Sequence, residues 1–481
     1  MTEAEHKPAE WILRINNSLA GVEKPSKMSI YKVPNKLVKI KKDAYTPGIV
    51  SIGPFHRHNK ELQAFNEHKR RYMLLLFMRM NKTALPILEQ CAIAILDLEG
   101  DVRRCYSEFI DLDNHQLVEM LLVDGCFILE LFLRHSNIDN YKDKVANPII
   151  NNARTVATLQ HDLALLENQI PFFVLQKLFD IIKEHIPQPL LRSSFTEDNV
   201  ATLALLFFKS ALGLSDQAIR KSKSLELSGE HLLHILHNFY LTTSDESPEN
   251  MHKSHLPISD NTNDDGDRQV LQTTGFKNCV TRLLEAGIQF QPNIDVAAEE
   301  IFLHIKYLKG VVKMPPLRIH EATESIFRNL IAFEQCSIAT SHCIASYVFL
   351  MSSLLSSSHD AEILHHKHII KYDLIGGRSG RDSGVHEDVV ALFKSMCDGV
   401  VLKDCCFSKL CKEVNNYPRS WFDWRRLIAI VKVKCRGYAI VLPSKYFATP
   451  WTTMSLIAAV MILVFTAMQT YYTTSTYYRQ Y

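Results

Sequence analysis

Close to the C-terminus, residues 452–472 read TTMSLIAAVMILVFTAMQTYY, 21 residues without a charged side chain. As a helix, such a run spans a hydrocarbon layer of roughly 30 Å. Trp451 precedes it, and Tyr471 and Tyr472 close it, the placement of aromatic residues at membrane interfaces. Pro450 can begin a helix at no cost, because its missing N–H has no partner there anyway. The segment predicts one transmembrane helix with a short tail, 473–481. Lys432, Lys434, Arg436 and Lys445 lie before it and only Arg479 after it, so the positive-inside bias puts the large domain in the cytosol. The opening MTEAEHKPAEWILRINNSLA has no apolar signal-peptide core. The expected arrangement is a tail-anchored, single-pass membrane protein, on the plasma membrane or an endomembrane. Sequons at Asn16 and Asn81 matter only if the domain is translocated.

The preceding residues have the composition of a folded domain, 47 % hydrophobic and 22 % charged. Lys and Arg number 54 against 52 Asp and Glu. That balance excludes the strongly basic class of dedicated nucleic-acid binders. The 11 cysteines form no CxxC pair, although Cys405 and Cys406 are adjacent. They are expected as small buried side chains in a reducing compartment.

The spacing of apolar residues predicts a mainly α fold, a large helical domain over 29–445 with a few short extended pieces, after an N-terminal segment 1–28. Pro34, Pro47 and Pro54 predict extended chain with turns over 29–58. Helical spacing follows over 62–98, with Lys69, Arg70 and Arg71 as a solvated face. In 117–134, Gln116, Glu119, Glu130 and Arg134 share one narrow polar face; the other side is apolar except for Asp124. This is expected to be a central core helix with one buried carboxylate. Pro171 kinks or restarts the helix predicted over 155–182, with Asn168 and Gln169 available to bond the freed groups. Residues 242–269 read as a disordered loop, 311–319 as short extended pieces, and 375–384 as a glycine-rich loop. In the helix predicted over 321–336, Glu324 and Arg328 form an i,i+4 pair, and Glu334 projects into the apolar face.

Asp124, Glu167 and Glu334 thus sit on apolar helix sides and are the candidate catalytic residues. Buried acids with raised pKa values suit general acid–base chemistry. The favoured reading is structural, in which each acid is bonded inside the packing and locks helices together. His231, His234 and His237, and the cluster His365, His366 and His368, lack the ligand spacing of a zinc site, so no metal is expected. Residues 376–384 lack the terminal GK[ST] of a phosphate loop, there is no GxSxG, and no cofactor is expected. SWFDWRR (420–426) suits a membrane surface and helix packing equally.

Six motifs follow in order: IYKVP (30–34), AYTP (44–47), VSIGPFH (50–56), VDGCFILE (123–130), LENQIPFF (166–173) and FRNLIAFEQC (327–336). With Pro450-Trp451 and the apolar segment, the chain resembles the plant family catalogued as domain of unknown function 247, from about residue 29 to the anchor. The resemblance implies a land-plant source, a large helical domain and a C-terminal membrane helix. It implies no enzymatic activity and no catalytic residue to carry over. Some grass members are associated with pollen-side self-incompatibility recognition.

The expected function is a membrane-anchored interaction or signalling protein that presents loops 242–269 and 375–384 to a protein partner. The alternatives are an enzyme of unknown class using the buried acids and a structural membrane-associated scaffold.

Overall fold

The computed structural model describes residues 28–80, 84–136, 149, 152–186, 199–223, 227–242, 275–293, 302–338, 340–372, 383–403 and 405–417, with 461–462, 465–466 and 468–470 near the C-terminus. The first half is helical: α1 (Asn35–Ile40), α2 (Asn66–Met78), α3 (Ala84–Leu96), α4 (Glu99–Cys105), α5 (Asn114–Ser136), α6 (Ala153–Leu163), α7 (Phe172–Lys183), α8 (Val200–Leu212), α9 (Asp216–Lys223) and α10 (Leu232–Thr242). The second half continues with α11 (Val280–Glu285), β1 (Gln289–Pro292), β2 (Lys306–Leu308), β3 (Val311–Met314), β4 (Leu317–Ile319), α12 (Thr323–Cys336), α13 (Cys343–Leu354), α14 (Ser358–His366), β5 (Ile370–Tyr372), α15 (Ser383–Cys397) and α16 (Ser408–Asn415). The fold is mainly α.

Short polar side chains set several helix starts. Asn152 accepts from the N–H groups of Arg154 and Thr155 to begin α6, and Asn199 accepts from Ala201 to begin α8. Ser357 and Asp360 form a capping box at α14. Strands β1 and β3 pair in parallel, and β2 returns antiparallel to β3. Lys309 and Gly310, both at positive φ, make the two-residue turn between them. β4 and β5 form a separate parallel pair.

Helix α5 is the centre of the first half and packs against α2, α3, α7 and α8. Leu117, Leu121, Phe127, Ile128 and Leu131 are fully buried, each worth about 1.5–3 kcal/mol. Gly125 lets α7 close in: a Cβ there would lie 2.4 Å from Leu178 Cδ1. One hydrophobic cluster runs from Ile30 to Val414, so both halves share a core.

Several expectations are corrected. Residues 35–40 form a helix rather than extended chain, because Pro34 stands at its N-cap, where proline is tolerated. Lys69 is buried, not solvated, since Asp124 draws its ammonium inward. Glu130 is fully buried rather than solvent-facing, held by Arg79 Nη2 at 2.8 Å and by Arg134. Cys343 and Cys406 form a disulfide, 5.4 Å between Cα atoms, where only isolated thiols were expected.

No described helix is long and apolar enough to cross a membrane. The predicted span 452–472 lies mostly outside the described residues; 461–462, 465–466 and 468–470 within it are helical. The stretches 1–27, 243–269, 375–382, 420–426 and 432–445 also lie outside them.

Candidate functional site

Among the described residues no strand pairs with the strap 48–56, and side chains satisfy much of its backbone. Asp162, near the end of α6, accepts from Gly48 N at 2.7 Å, Ile49 N at 2.8 Å and Val50 N at 2.9 Å. His161 Nδ1 lies 2.9 Å from the same carboxylate. Asn168 accepts from Ile52 N at 2.7 Å and donates to Val50 O at 3.0 Å and Asp162 O at 2.9 Å. Asp124 accepts from Gly53 N at 2.8 Å and from Lys69 Nζ at 2.6 Å; Lys69 also donates to Ser51 O. Gly53 has φ +72°, and a Cβ there would meet Gln169 O at 2.4 Å, so only glycine lets the strap pass.

Glu167 is not on a helix. It lies in the link between α6 and α7, which restarts after Pro171. Gln169 replaces the interrupted helical bonds by donating to the carbonyls of Leu163 and Leu165. Glu167 accepts from Val33 N at 2.8 Å and Lys32 Nζ at 3.0 Å, with His56 Nε2 at 3.7 Å. Asp124 and Glu167 therefore grip neighbouring parts of the N-terminal chain.

Glu334 lies on α12, and its bonds go to segments other than that strap. It accepts from His237 Nε2 at 3.0 Å and from Ile344 N and Ala345 N at 2.9 Å each, tying α10 and α12 to the start of α13. The rings of His231, His234 and His237 pack around Phe333. Burial holds His231 well below the usual imidazole range. Burial, and then the neighbouring His237, lower His234 to about 4. Among the described residues, no group of His, Cys, Asp and Glu is arranged to hold a metal ion.

The three acids singled out from sequence are thus not brought together. Asp124 lines a cleft of about 80 Å³, room for a few waters. Asp124, Glu167 and Glu334 each accept at least one backbone N–H, an arrangement that fixes chain segments in place. Asp162 was missed, although it lies on the same apolar face as Leu159 and Leu163, the signal that exposed Asp124. Asn329 was also missed: it accepts from Leu166 N and donates to Ala44 O, linking α12 to both earlier segments. Its spacing to the buried Ile326 and Leu330 is the same as that of Asp162 to Leu159 and Leu163, so the same signal was present.

Comparison with known proteins gives relatives but no assigned chemistry. The family DUF247, described as plant protein of unknown function, matches residues 30–465. The UPF0481 protein At3g47200 of Arabidopsis thaliana is 28 % identical over 446 residues, 92 % of this chain and 85 % of the relative. The putative UPF0481 protein At3g02645 of the same plant is 29 % identical over 175 residues, 35 % of this chain and 31 % of its own length. No solved structure matches.

Proposed function

We propose a function on one premise: the chain belongs to the DUF247 family of plant proteins of unknown function. It is a membrane-anchored interaction or signalling module, its helical domain held at a membrane surface by residues 452–472 and offering that surface to a protein partner. The observation that carries this reading is the exposure of Met461, Ile462, Phe465 and Met468, each at least 50 % exposed. Large apolar side chains left in water are unfavourable, and lipid removes that cost. The family match extends into the same segment. The recognition role associated with some grass members falls within this proposal.

Flanking charge favours a cytosolic domain. The Cys343–Cys406 disulfide favours the opposite side, because such bonds persist in oxidising compartments. Protease treatment of sealed microsomes from plant cells expressing the full chain separates the two. A digested domain with unmodified Asn16 and Asn81 supports the cytosolic module. A protected domain carrying endoglycosidase-sensitive sugar supports the other orientation. Loss of the chain from the microsomes contradicts the anchored reading.

A further inference from the structure

Like charges face each other across the short parallel pair β4–β5. Arg318 and Lys371 are register partners, while Leu317, Ile319, Ile370 and Tyr372 beside them are buried. Juxtaposed like charges destabilise a sheet unless something of opposite charge lies between them. Among the described residues, neither cation has an ion-pair partner.

Both cations line a cavity of about 840 Å³. That is within the size range of small-molecule sites, roughly 300–1,000 Å³. Tyr240, Phe302 and Phe327 supply apolar wall, Lys209 is a further cation on it, and His135, whose imidazole burial pushes toward the neutral form, lines it as well. No carboxylate is among the described lining residues. Asp216 balances Lys209 at 2.7 Å and does not line the cavity. Arg318 and Lys371 therefore give the cavity a surplus of positive charge next to aromatic surface.

We propose that this cavity binds a phosphate monoester with an apolar or aromatic body. The phosphate sits between Arg318 and Lys371, and the body lies against Tyr240, Phe302 and Phe327. A monoester carries a charge of about −1.5 to −2 at neutral pH, which matches two cations. Arginine's planar fork suits its oxygens. This proposal goes beyond membrane anchoring and does not rest on it.

The test is calorimetric titration of the detergent-solubilised full-length chain with phenyl phosphate, inorganic phosphate, phenol and dihexanoyl phosphatidic acid. Saturable binding of phenyl phosphate is expected, with weaker binding of inorganic phosphate and none of phenol. Arg318→Gln and Lys371→Gln each weaken binding by about tenfold or more. Without ligand, both variants melt no lower than the parent, because a repulsion has been removed. Displacement of phenyl phosphate by the short-chain lipid assigns the site to a lipid headgroup; its absence assigns a soluble ester. The proposal is overturned if neither phenyl phosphate nor the lipid binds saturably. Unchanged affinity in both variants overturns it as well.

Discussion

Glu334 accepts a hydrogen bond from His237 at 3.0 Å with both side chains fully buried, joining residues 97 positions apart. The other oxygen of Glu334 serves the start of α13 through Ala345 N. Among the described residues His237 Nδ1 has no hydrogen-bond partner, which suits the Nε2–H tautomer donating to the carboxylate. The acid works as a helix cap and a tie between helices. Glu334→Gln is expected to lower unfolding free energy by about 3 kcal/mol, measured by guanidinium denaturation. A variant as stable as the parent contradicts the structural role.

Asp162 serves three consecutive amides of the strap. Asp162→Asn keeps one acceptor oxygen and turns a donor toward backbone donors. A loss of about 3 kcal/mol is expected, with faster amide exchange at Gly48, Ile49 and Val50. Unchanged exchange at those amides contradicts the assignment.

Asp124 and Lys69 form a buried pair. Asp124→Leu strands the ammonium and Lys69→Met strands the carboxylate, so each is expected to cost about 3–5 kcal/mol. The double variant Asp124→Leu/Lys69→Met is expected to cost less than the sum, because neither partner is left alone. Simple additivity in a double-mutant cycle contradicts the pairing.

His234 sets a pH dependence. Its folded value, about 4, is below the ordinary 6.5. As pH falls through 6.5 the unfolded chain gains a proton that the folded chain refuses, so acid favours unfolding. The stability present above that pH is lost progressively down to about 4. His231 and His56 are lowered by burial in the same direction. The denaturation midpoint is expected to fall between pH 7 and pH 5, and less steeply in His234→Leu. An equal slope in both proteins contradicts this origin.

The Cys343–Cys406 disulfide closes a loop with a sequence separation of 63. Chain-entropy arguments give about 4 kcal/mol for a loop of that length. Cys406→Ser is expected to lower the stability of the oxidised protein by up to that amount and to change little under reducing conditions. Free-thiol titration that finds Cys343 and Cys406 both reduced in protein isolated from plant cells contradicts the bond.

Periodicity made α5 legible in the sequence, and with it the burial of Asp124, because one helix face is a local property. The same wheel misplaced Glu130 and Arg134. Their partner Arg79 comes from α2, and a pattern within one helix does not contain the helix that packs on it. Glu334 was legible as an acid among apolar residues, but its partner His237 was not. Glu167 was assigned to a helix because spacing does not show where Asn168 and Gln169 take over backbone bonds. The strap shows the limit most clearly: its glycine and proline residues announced extended chain, yet Asp162 lies 112 to 114 positions away from the amides it binds. The adjacent cysteines at 405 and 406 gave no indication of which one pairs.

Membrane anchoring through residues 452–472 is tested most directly by alkaline carbonate extraction of microsomes. The full-length chain is compared with one ending at residue 445. The account predicts that the full chain stays in the membrane pellet and the shortened chain is released to the supernatant. Release of the full chain, or retention of the shortened one, contradicts it.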